Sequence, residues 1–318
     1  MLVSIQCLVY NHEPYLRQCL DGFVMQKTNF AFEAIVHDDV STDHSADIIR
    51  EYAEKYPSII KPIYEKENQY SKTDGSLIRI MNAAVDINAK YIAFCEGDDY
   101  WIDPYKLQKQ VDFMEMNINY SMCFHDVYRL YGGKLQSSYR QYYRNTDACL
   151  YDVIINGGLF CPTASILLRK NIYDKYPDFA KRCHVGDYPM QIYMALKGKV
   201  RFMKDIMGVY RIGTEGSWTD RMRRLDANMI KDKMNDEICM LESFNDYSEH
   251  KYNNIFSKRI SIYRIRTFIR LRDKDAIRNS ISADWKNINM KLKLCCFFVL
   301  NNLSFVLDVY YKLRGVNV

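Results

Sequence analysis

No apolar stretch of this chain reaches the roughly 18–20 residues that a membrane-spanning helix requires. The longest approach, LCCFFVLNNLSFVL at Leu294–Leu307, is short and broken by Asn301-Asn302, so it reads as a packed or interfacial helix. The ten cysteines contain no CxxC pair and no even spacing, which argues against a disulfide framework, and no His/Cys cluster has zinc-ligand spacing. Cys7 and Cys95 fall inside apolar strand-like runs, where cysteine behaves as a small buried hydrophobe. With strand-like residues from Leu2 onward and no leader-like segment, the expectation is a reduced, cytosolic protein. A net charge of +5 is too small to argue for a nucleic-acid partner. There is no internal repeat and no low-complexity linker.

What is present is an ordinary globular composition, 48% hydrophobic and 26% charged, in 318 residues: enough for one large α/β domain plus an appendage. Strand and helix patterns alternate. Leu2–Tyr10 is a continuous β-type run of the kind buried on both faces. Asn11 then offers an N-cap and Pro14 a first helical turn, ahead of Leu16, Leu20, Phe23 and Val24 at helical spacing. Ala34–His37 is a second strand, followed by Ser41-Thr42-Asp43 as capping residues for a helix striped by Ile48, Ile49, Tyr52, Ala53 and Tyr56. Ile59–Tyr64 and Tyr91–Cys95 are predicted as strands, with helices around Leu77–Ala84 and Leu107–Met114. This order predicts a mostly parallel sheet with helices on both faces. From Ser121 to Arg211 the pattern is less regular, with a strand at Ser165–Leu168 and a short helix at Tyr188–Leu196; beyond Trp218 the chain is helical and basic.

Two acidic clusters stand at predicted strand ends: Asp38-Asp39 in AIVHDDVSTD and Glu96-Gly97-Asp98-Asp99 in YIAFCEGDDYW. Carboxylates crowded at one strand end repel unless a cation or a donor-rich ligand lies between them, and a metal-bound nucleotide diphosphate is such a ligand. Ligands of open parallel sheets bind beyond the carboxyl ends of the strands, so the two clusters are expected to share one cleft. Glu96 and Asp98, one residue apart on an extended segment, can face one divalent ion, and Gly97 permits close backbone approach to a ligand. All-oxygen donors select Mg²⁺ or Mn²⁺. A charged turn is the plainer reading of either cluster alone.

The run VSIQCLVYNHEPYLRQCLDG, then HDDVSTD, then YIAFCEGDDYW with Pro104 just beyond, resembles the family 2 glycosyltransferases. The resemblance is strong over the first 125 residues and weaker to about Trp218. It implies an α/β, Rossmann-like GT-A fold and an inverting, nucleotide-sugar-dependent transferase. Residues 1–218 would form the GT-A domain, 1–125 binding the nucleotide-sugar and 126–218 facing the acceptor, with 219–318 as a helical extension.

Residue by residue, the resemblance implies that Leu8, Tyr10, Asn11 and Glu13 border the nucleotide. Asp39 would accept a hydrogen bond from a uracil or thymine imide. Glu96-Gly97-Asp98 stands at the DxD position, with Asp98 as direct metal ligand, Glu96 as a lengthened substitute for the first Asp, and Asp99 on the sugar or a metal-bound water. In HVGDYPMQIYMALKG, Asp187 matches the acidic residue of the region that supplies the general base, with Tyr188 where the family more often has Trp. His184 is the rival base, and a helix N-cap is the plainer role of Asp187. VYRIGTEGSW (209–218) resembles the segment that closes over donor; it lacks the family's His near Gly213, leaving Arg211 as the cation for the diphosphate, or as a solvated surface residue. Lys72 and Arg79 are weaker candidates for that job. Trp101 either stacks on a sugar or fills the core. The processive relatives' QxxRW motif is absent.

The expected activity is transfer from a UDP- or dTDP-sugar, with Mn²⁺ or Mg²⁺, to a hydroxyl of a glycan or lipid-linked acceptor. One alternative is a sugar-phosphate nucleotidyltransferase, although Tyr10-Asn11-His12-Glu13 lacks the glycines of a phosphate loop; another is an inactive nucleotide-sugar-binding homologue. A phospho-acceptor domain would explain Asp38-Asp39 and nothing past residue 125. Phe256–Lys274, basic and amphipathic, with the apolar Leu292–Leu313, suggests peripheral contact with the inner face of the plasma membrane, or a helical cap.

Overall fold

The computed structural model describes residues 1–139, 141–183, 185–214 and 217–313. The chain divides into two compact units, Met1–Ser217 and Trp218–Val318.

The first unit opens with β1 (Val3–Val9), α1 (Glu13–Val24), β2 (Phe32–Asp38), α2 (Ser45–Lys55), β3 (Ile60–Tyr64), α3 (Ser76–Ala84), β4 (Tyr91–Phe94), β5 (Tyr100–Trp101) and α4 (Lys106–Met116). It continues through β6 (Tyr120–Tyr131), β7 (Lys134–Ser138), β8 (Thr146–Ala148), α5 (Leu150–Asn156), β9 (Leu167–Arg169), α6 (Lys170–Tyr173), α7 (Asp178–Lys181), α8 (Asp187–Lys197) and β10 (Lys199–Ile212). The second unit is helical: α9 (Trp218–Arg223), α10 (Ala227–Tyr247), α11 (Asn253–Leu271), α12 (Lys274–Asp284), α13 (Met290–Leu300) and α14 (Ser304–Leu313).

One sheet runs β3-β2-β1-β4-β9-β6-β10-β5, with β7 on β6 and β8 on β10. β3, β2, β1 and β4 are parallel neighbours; β9 runs antiparallel to both β4 and β6, and β5 antiparallel to β10. β1 is central to the first half and is enclosed on both faces, its buried Ser4 donating to Glu33 of β2 at 2.8 Å. α1 lays Leu16, Cys19, Leu20 and Phe23 into that core. It approaches β5 through Gly22, where an added Cβ would stand 3.0 Å from the Trp101 nitrogen. Burial of each such Leu or Phe stabilises the fold by roughly 1.5–3 kcal/mol.

The irregular middle of the sequence contains the longest strands. β6 and β10 pair in parallel over their length, with register shifts between Met203 and Ile206 and between Ile206 and Gly208. The bulge absorbs Lys204-Asp205, whose charges break the strand period in the sequence. In the helical unit, the arginines of α11 are largely engaged by neighbouring helices. Arg259 pairs with Glu237 at 2.6 Å, Arg264 with the buried Asp284 at 3.3 Å, and Arg270 donates to the Met222 carbonyl at 2.8 Å. Ile262, Ile265 and Ile269 of the same helix are buried. Among the described residues no helix is long and apolar enough to cross a membrane.

Candidate functional site

Both acidic clusters hang on the end of β1. The amide of Asp39 donates to the carbonyl of Val9 at 2.9 Å, and the amide of Gly97 donates to the carbonyl of Leu8 at 3.0 Å. Because β1 lies between β2 and β4, two loops that leave those strands arrive at adjacent residues of the same strand. The shared cleft expected from strand order is thus built on Leu8 and Val9.

On the β2 side, the loops after β1 and β2 are laced together. Asn11 does not cap α1; its backbone is left-handed (φ 56°) and its side-chain oxygen accepts from the Thr42 amide at 2.7 Å. The Asn11, His12 and Glu13 amides donate in turn to Ser41 Oγ, Ser45 Oγ and Asp43 Oδ2, each at 2.9–3.0 Å. Glu13 returns a bond, its Oε2 accepting from the His44 amide at 3.1 Å. Asp43 stands between two helix starts, one oxygen on the Glu13 amide and the other on the Ser45 amide at 2.9 Å. Burial opposes ionisation of Asp43, but the bonds from Ser45 and Glu13 outweigh it and hold the carboxyl below its usual range. Val40 is also left-handed (φ 65°), a strained state for a β-branched residue.

Asp39 is buried and fixed by backbone: Oδ1 accepts from the Gln69 amide at 2.6 Å and Oδ2 from the Tyr70 amide at 3.0 Å. The Gln69 side chain donates to Glu65 Oε2 at 3.2 Å, and Glu65 Oε1 lies 3.2 Å from His37 Nε2. Tyr10, just past β1, is exposed. Lys72 lies 3.1 Å from Glu67, and Arg79 donates to the Asp74 carbonyl at 3.0 Å.

On the β4 side, residues 96–99 do not continue as an extended strand. They form a turn closed by the Asp99 amide on the Glu96 carbonyl at 3.0 Å, so the strict alternation expected of Glu96 and Asp98 is lost: Glu96 is exposed and Asp98 buried. Gly97 is required by the protein itself, because a Cβ there would stand 2.7 Å from His12 Nδ1 and 3.0 Å from Val9 Cγ2. Asp98 Oδ2 accepts from the Thr214 hydroxyl at 3.1 Å. Asp99 is enclosed, and Oδ1 accepts from the Arg211 amide at 2.8 Å. Burial, followed by the charge of Asp98, raises the Asp99 carboxyl well above its usual range.

Arg211 is buried. Its guanidinium donates to the Asp98 carbonyl and to Gln18 Oε1, and it lies 4.9 Å from the Tyr15 ring centroid and 4.6 Å from that of Tyr100. The Trp101 ring is also in the core, edge-on to Phe23 at 5.0 Å, with Nε1 donating to the Ala164 carbonyl at 2.7 Å. Beneath it lies Lys106, fully buried, its ammonium 3.7 Å from the indole centroid; burial pushes its pKa down to about 7.

Asp187 begins α8. Its Oδ1 accepts from the Tyr188 amide at 2.7 Å, and its Oδ2 lies 3.5 Å from the Thr163 hydroxyl. Burial raises its carboxyl above the usual range, partly offset by those bonds. Thr163 adjoins Ala164, the acceptor of Trp101, so two hydrogen bonds connect Asp187 to Trp101, two residues past the acidic turn. Two phenols are also pushed up: Tyr210 by burial and then by the charges of Asp99, Glu96 and Asp98, and Tyr139 by burial, then by Cys161 and more weakly by Asp187. Tyr188 turns inward, its hydroxyl on the Ile154 carbonyl at 2.7 Å. His184, Glu215 and Gly216 lie outside the described residues.

The site therefore gathers Leu8, Asn11, Glu13, Asp39, Glu96, Asp98, Asp99 and Arg211 around one strand end, while Trp101 packs behind it. Gln18, Gln69, Tyr139, Thr163, Tyr210 and Thr214 were not singled out from sequence, since lone polar residues carry no spacing signal; Tyr210 could have been found from its place beside Arg211. Among the described residues no three His, Cys, Asp or Glu side chains form a ready metal cage. Asp98 Oδ2 accepts from the neutral Thr214 hydroxyl and its charge raises Asp99, an all-oxygen acidic set of the kind a hard divalent ion takes.

The glycosyl transferase family 2 model matches residues 4–176. An uncharacterised protein of Mycobacterium tuberculosis is 33% identical over 226 residues, 70% of this chain and 63% of that one, so this chain spans under two thirds of that relative's length. A putative teichuronic acid biosynthesis glycosyltransferase, TuaG of Bacillus subtilis, is 33% identical over 113 residues, 36% of this chain and 42% of its own. Among solved structures, residues 1–349 of S. aureus TarS in complex with UDP-GlcNAc superimpose with a TM-score of 0.65 at 14% identity, covering 98% of this chain and 92% of that one.

Proposed function

The chain belongs to glycosyl transferase family 2, and on that premise we propose that it is an inverting glycosyltransferase moving a sugar from a UDP- or dTDP-sugar to a hydroxyl of a glycan or lipid-linked acceptor. The observation that carries this reading is the attachment of both acidic loops to Leu8 and Val9 at one strand end. The UDP-GlcNAc held by TarS and the polymer named for TuaG favour a UDP-sugar and an envelope polysaccharide.

In this account Leu8, Tyr10, Asn11 and Glu13 border the nucleotide, and the lacing of Asn11 and Glu13 to residues 42–44 keeps that border rigid. Asp39 accepts the imide N–H of the base; its two backbone bonds occupy about half of the roughly four lone-pair sites of a carboxylate. Asp98, with Glu96 reaching in from its exposed position, would hold Mn²⁺ or Mg²⁺. When bound, such an ion offsets the charge of the diphosphate and stabilises it as leaving group. Asp99 orients the sugar, and Arg211 and Trp101 hold the turn from behind.

Asp187 acts as the base. The acceptor oxygen attacks the anomeric carbon on the face opposite the diphosphate, its proton passes to the Asp187 carboxylate, and the nucleoside diphosphate leaves with the bonding electrons, which inverts the centre. A carboxyl raised by burial is suited to taking that proton near neutral pH.

The test is nucleoside diphosphate release from a panel of sugar nucleotides with Mn²⁺. Release from a UDP- or dTDP-sugar, abolished in Asp98→Ala, is the expected result. Release from none of them, or formation of pyrophosphate from a sugar phosphate and UTP, would overturn the assignment.

A further inference from the structure

We propose that the exposed faces of α13 and α14 form a docking surface for an anionic lipid bilayer. Apart from Lys291 and Lys293, α13 is apolar all round, whereas a surface helix ordinarily has one polar face. One side, Leu292, Cys295, Cys296 and Val299, is buried. The other presents Met290, Leu294 and Phe297, which are 78%, 52% and 52% exposed and recur at one helical face. α14 adds Phe305 and Val309, also exposed and one turn apart.

The charges around this stripe select the partner. At 3.6 residues per turn, Lys291 and Lys293 fall on opposite flanks of Met290, Leu294 and Phe297. Lysine stems on such flanks lie along apolar surface and lift their ammonium groups to the level of lipid phosphates. Lys293 also lies 5.1 Å from the ring centroid of the partly exposed Trp285, a residue type suited to the headgroup layer. From Trp285 to Leu307 there are three lysines and no acid, and Asp308 beside Val309 is paired with Arg272. Residues 218–318 hold nineteen Lys and Arg against twelve Asp and Glu, while residues 1–217 hold twenty-five against twenty-seven. Arg259, Arg264 and Arg270 of α11 are engaged by intramolecular partners, so of the two segments that the sequence pairs for this role the apolar one, α13 and α14, carries the contact. A second copy of the chain fits poorly, because pairing the stripe with itself would set lysine flank against lysine flank.

The experiment is vesicle flotation of the full chain, comparing zwitterionic vesicles with vesicles one quarter anionic, at low and high salt. Wild type is expected to float with anionic vesicles at low salt and to be released by high salt. Leu294→Glu/Phe297→Glu lowers partitioning at least ~10-fold, and Lys291→Gln/Lys293→Gln lowers it about fivefold per lysine, both with wild-type nucleotide release. Equal flotation of wild type and the lysine variant, or indifference to anionic lipid, would overturn the proposal. So would a wild-type dimer that Leu294→Glu/Phe297→Glu dissociates, since a second copy would then cover the stripe. Unchanged turnover in these variants keeps a failure here distinct from a failure of the transferase reading.

Discussion

Arg211 grips both ends of the Asp98-Asp99 step: its amide donates to Asp99 Oδ1 at 2.8 Å, and its guanidinium donates to the Asp98 carbonyl. Stacked between Tyr15 and Tyr100 and bonded to Gln18, it ties α1, β10 and the acidic turn together.

Arg211→Lys keeps the charge and loses the planar fork. The expected outcome is a fall in kcat/KM for the donor of about 10- to 100-fold, matching the ~1.5–3 kcal/mol of one charged hydrogen bond, together with a lower thermal midpoint. Steady-state kinetics and thermal denaturation check it; unaltered values in both would show that the guanidinium positions nothing.

Asp187→Asn should lower kcat by about 10²–10⁴-fold while leaving donor affinity near wild type. The base must be ionised, so activity rises with pH through the raised Asp187 pKa. Thr163→Val removes a donor to the carboxylate and should move that rise to higher pH, as a kcat–pH profile would show.

The strand-rich first half and the strand-end placement of both acidic clusters were legible because β1, β4 and the Ala34–His37 part of β2 read as β-type runs. β6 and β10 were hidden: His125 and Asp126 interrupt one pattern, and the Lys204-Asp205 bulge shifts the other. Asn11 and Ser41-Thr42-Asp43 were legible as polar helix-start residues but not as an inter-loop lacing, since local capping and a bond between loops draw on the same side chains. Trp101 could equally fill a core or face a sugar, and only the approach of Gly22 and Ala164 decides that it is enclosed.

Asp43→Ala removes an acceptor from two helix starts and should cost about 1–2 kcal/mol by denaturant unfolding at pH 7. The folded carboxyl titrates below its ordinary 3.8, so its contribution is complete above that value and lost as pH falls through the depressed one. The wild-type advantage over Asp43→Asn should therefore shrink only below about pH 4.

Lys106 shows the opposite charge case. Its pKa drops from 10.5 to about 7 on folding, so protonation favours the unfolded chain; the penalty is complete below about 7 and gone above 10.5. Relative to Lys106→Met, wild type should gain stability on the order of 1 kcal/mol per pH unit between those limits. Urea unfolding at pH 7 and pH 9.5 checks it; a gap that does not change with pH would mean the lysine stays charged.

The most direct test of the central claim, that loops from β2 and β4 jointly hold a nucleotide diphosphate, is calorimetric titration of UDP into wild type, Asp39→Ala and Asp98→Ala, with Mn²⁺ and with EDTA. The account requires wild-type affinity that drops at least ~10-fold in EDTA, an Asp98→Ala protein that binds weakly and equally in both buffers, and an Asp39→Ala protein weakened in both. Undiminished affinity in EDTA and in both variants would contradict it.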